Sequence, residues 1–148
     1  MSILQGATTS FKVELLQAVH NFGPTSANTF KIALYTASAN INADTTVYTT
    51  TNEVTGTGYT AGGNTLTIST SPTSGNNSSN IPTAYISFSN TSWTGASFTA
   101  RAALIYNSSQ SNKSVAVLDF GADKTVSNDT FQIIFPTPDA NSAIVRIA

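Results

Sequence analysis

The chain reads as a mainly β protein, a single-domain antiparallel β-sandwich of about seven strands with one N-terminal α-helix. Two observations predict it. Apolar residues recur at helical spacing only once, before Pro24, and after that point the period drops to two. Short alternating runs are then separated by connections rich in Ser, Thr, Asn and Gly, with no composition break or long repeat to mark a second domain. Residues 1–148 are therefore taken as one domain, long enough to bury a core.

Phe11, Leu15, Val19 and Phe22 form the helical stripe, widened by Leu16. Thr8, Thr9 and Ser10 offer capping hydroxyls, and Gly23-Pro24 is a stop signal, so the spacing predicts a helix over residues 9–22. The first strand follows at Phe30, Ile32 and Leu34, which alternate with Lys31, Ala33 and Tyr35. Further alternating runs lie at residues 66–68, 85–88, 98–106, 115–120, 131–135 and 143–147. The polar stretch from Asn107 to Asn112 reads as a hairpin loop, and Asp123-Lys124 as a turn between two strands. Residues 40–64 and 71–82 fit no strand pattern and are expected to be extended loops, the second mobile or pinned by a partner.

Charge is the most unusual property. Only 9% of the residues are Asp, Glu, Lys or Arg, against roughly 25% in an ordinary soluble domain. Six basic and seven acidic residues give a net charge of −1. Such a surface repels copies of itself weakly and suits a protein packed against other subunits. It offers no attraction to nucleic acid or to an anionic membrane. Cys is absent, which excludes disulfides and thiolate metal sites. The N-terminal residues show no signal-peptide pattern and no run is long enough to span a bilayer, so the expected setting is a cytosol or release by lysis. The Asn-x-Ser/Thr triplets, such as Asn90-Thr91-Ser92, are then chance in a Ser/Thr/Asn-rich chain.

Candidate chemistry is sparse. Gly56-Thr57-Gly58 and Gly62-Gly63 lack the lysine and the following helix of a phosphate loop and read as turns. His20 is the sole histidine, without companions for acid–base work, and reads as structural. Asp119, Asp123 and Asp129 are close in sequence but lack calcium-loop spacing. Arg101 is expected on an open strand face, paired with an acid such as Asp119. Trp93, between two strands, reads as a corner-filling core residue rather than a sugar platform. No enzyme, metal or cofactor is expected. The stretch from 40 to 63 is too long for an idle connection and holds Tyr48 and Tyr59, rings suited to contacts. It is expected to reach across a neighbouring subunit, the alternative being a segment folded on its own domain. Candidate assembly residues are thus Tyr48, Thr57 and Tyr59, with the helix stripe Phe11, Leu15 and Val19, expected to pack on sheet or partner.

Thr29-Phe30-Lys31-Ile32-Ala33-Leu34-Tyr35-Thr36, Tyr48-Thr49-Thr50-Thr51-Asn52-Glu53-Val54 and Gly56-Thr57-Gly58-Tyr59-Thr60-Ala61-Gly62-Gly63 carry a resemblance. So do Phe98-Thr99-Ala100-Arg101-Ala102-Ala103-Leu104-Ile105-Tyr106-Asn107, Ala116-Val117-Leu118-Asp119-Phe120-Gly121 and the final Ala143-Ile144-Val145-Arg146-Ile147-Ala148. Together with the helix phrase Ser10-Phe11-Lys12 they make nearly the whole chain resemble small virion structural (accessory) proteins of tailed bacteriophages. The resemblance contains no catalytic motif. It implies a non-enzymatic structural protein found in the virion and assembled in the host bacterial cytoplasm. Its partners would be copies of itself and other virion proteins, the major capsid protein or tail proteins. A capsid decoration or cement protein is the leading expectation. A tail, baseplate or fibre-attachment component, or a carbohydrate-binding module for host attachment, is the alternative.

Overall fold

The computed structural model describes residues 2–148. It is a sandwich of two antiparallel sheets with one short helix. The larger sheet runs in the order β1 (Gly6–Ala7), β7 (Lys113–Ile133), β6 (Thr91–Asn107), β2 (Phe30–Tyr35), β3 (Asn64–Leu66). The smaller is β4 (Ile68–Asn76), β5 (Pro82–Phe88), β8 (Val145–Ile147). The predicted fold class holds; the runs at 85–88, 98–106 and 115–120 lie inside strands, while those at 66–68, 131–135 and 143–147 are strand only in part. Phe30, Ile32 and Leu34 face the second sheet and join Phe88, Trp93 and Phe98 in the main core.

The helix α1 is shorter than the stripe predicts, Thr9–Leu16. Thr8 caps its start, accepting a hydrogen bond from the Phe11 amide at 3.4 Å. Its end is a Schellman turn: Ala18 adopts φ 57°, its amide reaches the Leu15 carbonyl at 3.1 Å, and the Val19 amide reaches Glu14 at 3.0 Å. That position normally takes glycine, so no residue type announced the stop. Phe11 is buried and Leu15 packs at the core margin, but Val19 and Phe22 follow the helix instead of belonging to it. Phe22 still enters the core, stacked on Phe30 at 4.2 Å.

Three further expectations are corrected. Residues 71–82 are not an open loop, because β4 runs to Asn76 and pairs with β5 through Asn76 and Pro82, Gly75 and Thr83. Asp123-Lys124 does not separate two strands. β7 continues past it through a bulge in which residues 120–123 stand opposite Arg101, and Lys124 pairs with Ala100. The turn chemistry of Gly121 (φ 76°) is absorbed in that bulge. Trp93 lies within β6, opposite Phe131, and not at a corner, although it is a core residue as read.

Residues 36–63 contain no regular strand and lie across the outer face of the larger sheet. Single bridges tie this strap to its own chain: Ile41 to Ile3, Val47 to Lys113, Glu53 to Tyr35 and Thr57 to Ser97. Beneath it Ala33, Tyr35, Ala102, Leu104, Tyr106 and Val117 form a second core with Ala39 and Ile41. The larger sheet is therefore covered on both faces, and the segment expected to reach a neighbour is folded on its own domain.

Candidate functional site

The strap is fastened by one buried carboxylate. Glu53 Oε1 accepts hydrogen bonds from the Tyr59 hydroxyl and the Gly62 amide, and Oε2 from the Tyr48 hydroxyl, each at 2.7 Å. Tyr48 stacks on Tyr106 at 4.7 Å. The Tyr106 hydroxyl donates to the Gly62 carbonyl at 2.8 Å and the Tyr35 hydroxyl to the Thr49 carbonyl at 2.6 Å. Gly63 closes the strap with φ 65° against β2, where a Cβ would collide with the Ile32 carbonyl. Burial, reinforced by the Glu53 charge, pushes the Tyr106 phenol up to about 12 and those of Tyr35, Tyr48 and Tyr59 higher still. These phenols are neutral donors at any physiological pH, and the cluster fastens the strap.

A second polar network joins α1, the connector after it and the β6–β7 turn. Ser109 donates its amide to Asn107 Oδ1 at 3.1 Å, and Asn21 donates its amide to Asn28 Oδ1 at 2.9 Å. Asn107 Nδ2 must then donate, to Asn28 Oδ1 at 2.9 Å and to His20 Nδ1 at 3.0 Å. His20 Nε2 consequently carries the proton and donates to Glu14 Oε2 at 2.8 Å, while Lys113 Nζ donates to Glu14 Oε1 at 2.6 Å. Burial opposes ionisation of Glu14, but the hydrogen bonds from Lys113 and His20 together outweigh it and hold the carboxyl below its usual value. The ring packs among Phe11, Phe22 and Phe30. His20 is structural, as the sequence indicates.

Arg101 Nε meets Asp119 Oδ1 at 3.0 Å in the expected pair, which holds the Asp119 carboxyl low. Asp123 and Asp129 are exposed, and among the described residues no three His, Asp or Glu side chains converge to hold a metal ion. Trp93 is 4% exposed and packs against Tyr59 and Phe131, out of reach of a sugar ring. Among the assembly candidates, Tyr48, Tyr59 and Phe11 are engaged within the chain, Leu15 and Val19 are half-buried, and Thr57 is exposed beside Ser97. Glu53 belongs to no motif; its one signal in the sequence is that it is a lone acid between Tyr48 and Tyr59 in an otherwise uncharged stretch.

Part of the margin of the larger sheet has no neighbouring strand. β1 covers β7 only at Ala116 and Val117, and the Gln5 side chain takes the Asp119 amide at 3.2 Å, which leaves the outer edge of β7 without a partner strand from Phe120 onward. Alongside runs an open groove of about 730 Å³ lined by Leu118, Phe120, Val126, Phe131 and Ile144. Ile134 at its end is 71% exposed, and Leu16 on α1 is 91% exposed. Comparison with protein-family models, with curated proteins and with solved structures gives no match.

Proposed function

We propose that the chain is a non-enzymatic structural protein of a tailed-bacteriophage virion, foremost a capsid decoration protein seated on the head lattice. The observation that carries this reading is the poverty of charge: six basic and seven acidic residues serve a surface of 7400 Å². Part of that charge is already paired, in Lys113–Glu14 and Arg101–Asp119. The buried titratable groups, Glu53, Glu14 and His20, are satisfied by partners inside the fold, which supports a scaffold role over chemistry. The likeness of the sequence to small virion accessory proteins supplies the setting. Binding would work by burial of surface between subunits, at about 25 cal/mol per Å² of apolar area, repeated over a shell.

Stoichiometry on purified particles tests it. A decoration protein is present in a copy number comparable with the shell subunit. A handful of copies moves the protein to the tail or baseplate, and complete absence from washed particles ends the virion reading.

A further inference from the structure

We infer that the outer edge of β7 is a strand-addition surface and that its occupant is β7 of a second copy, paired antiparallel across a twofold axis. The backbone shows which groups are free. In β6 the Ser97 amide is bonded to Thr57 and the Ser92 carbonyl to Asn64, both on the side away from β7. Their register partners on β7, Ser127 and Gln132, therefore turn their own amides and carbonyls outward. Alternation adds Thr125 and Thr130 to the outward set. The Thr130 amide is taken by its own Asp129 carboxylate at 2.7 Å, but no bond to any of the described residues is seen from the outward amides of Thr125, Ser127 or Gln132.

A row of free amides and carbonyls on an edge strand is complemented by another strand. The edge is only partly protected. From residue 118 to 133 there is no proline, and its charges are Lys124, Asp123 and Asp129, with Asp119 already paired to Arg101. Bulges at 120–123 and 128 bend the edge and divide it into straight runs, 124–127 and 129–133, and these contain all four outward residues.

A second copy fits better than a charged partner. With a net charge of −1 the copies do not hold one another apart, and a twofold pairing serves the free groups of both chains at once. It also covers the half-buried Phe120, Val126 and Phe131, which sit at the open margin of the main core. The inference stands on backbone direction and requires no particle, so it holds or fails apart from the virion reading.

Light scattering on the eluting purified chain tests it across a concentration series. A mass of twice 15.4 kDa is expected at the high end. Thr125→Pro and Gln132→Pro each remove one outward amide without touching the β6 ladder, since proline is tolerated where an edge strand faces outward. Both variants should melt like the dilute parent yet run as monomers at the high end of the series. Amide exchange guards against misfolded variants: Thr125, Ser127 and Gln132 of the parent should be protected at high concentration and exchange freely on dilution. A parent that stays monomeric throughout, proline variants that fold and dimerise as before, or outward amides that exchange freely at high concentration would each overturn the inference.

Discussion

Replacing Glu53 isolates the fastening of the strap. In Glu53→Ala the Tyr48 and Tyr59 hydroxyls and the Gly62 amide lose their acceptor together. A hydrogen bond to a charged group contributes roughly 1.5–3 kcal/mol, and a stranded buried donor costs a further fraction of that. Three such bonds set an upper range of about 4–9 kcal/mol. Tyr48 is only half-buried, so water replaces part of its loss, and a cost of about 4 kcal/mol is expected. For a chain of this size that corresponds to a fall in melting temperature on the order of 10 °C. Glu53→Gln should cost much less, about 1–2 kcal/mol. Its carbonyl oxygen can keep the Tyr59 and Gly62 donors, and the Tyr48 hydroxyl can turn to accept from the new amide. Thermal and urea melts of the three proteins measure the series. Alanine and glutamine variants that both melt within a degree or two of the parent would show that Glu53 does not hold the strap.

Stability should fall at both ends of the pH scale. Tyr35, Tyr48, Tyr59 and Tyr106 have folded values above the unfolded value near 10, so their contribution is complete below about pH 10 and lost at higher pH, for Tyr106 as pH rises through about 12 and for the other three above that. Tyrosinate absorbance from these four should appear together with unfolding, and a separate earlier titration of any of them would contradict the burial. Glu14 and Asp119 are held below the usual carboxylate range, so their contribution is present above about pH 4–5 and disappears as pH falls through their folded values. An acid melt series shows whether stability drops there, and a flat profile would refute the pairing. Phe11→Ala empties a fully buried site and should cost about 4 kcal/mol, whereas Val13→Ala on the exposed face should leave the melt unchanged. Nitrogen NMR should find His20 as the Nε2–H tautomer, and an Nδ1–H ring would mean that the Asn107 amide points the other way.

The legible parts of the fold were those written in periodicity. Phe30, Ile32 and Leu34 alternate with smaller or polar neighbours, and the β6–β7 hairpin is marked by the polar turn between Asn107 and Lys113. Elements that break their own local signal were not legible. Ala18 ends α1 in a left-handed conformation that its side chain does not advertise, so the stripe ran on to Phe22 in the sequence reading. Gly121 and Asp123 look like a turn, yet β6 pairs on both sides of them and turns the same residues into a bulge. Beyond Ile68, β4 consists of Ser, Thr, Pro, Gly and Asn, with no alternating apolar signal of its own, and it is paired with β5. At the site, two tyrosines have a use inside the chain that their spacing does not show. Tyr48 and Tyr59 were read as contacts for a neighbour, and their own Glu53 claims both hydroxyls.

The strap explains why so uncharged a chain concentrates tyrosine in one place. A segment that crosses a sheet without forming strands cannot satisfy its backbone through a ladder, and each unpaired buried group costs stability. Here side chains take over that work. Tyr35 and Tyr106 supply donors to the carbonyls of Thr49 and Gly62, Glu53 receives the Gly62 amide, and the Tyr59 hydroxyl accepts the Leu34 amide at 2.9 Å. Phenols suit the task because each brings a ring for the second core and a polar tip for the backbone. One carboxylate then serves two of those phenols, so a single charge does what several ion pairs would do elsewhere. With both faces of the larger sheet closed in this way, unsatisfied backbone is left chiefly along its margin, and the outer edge of β7 is the longest such stretch.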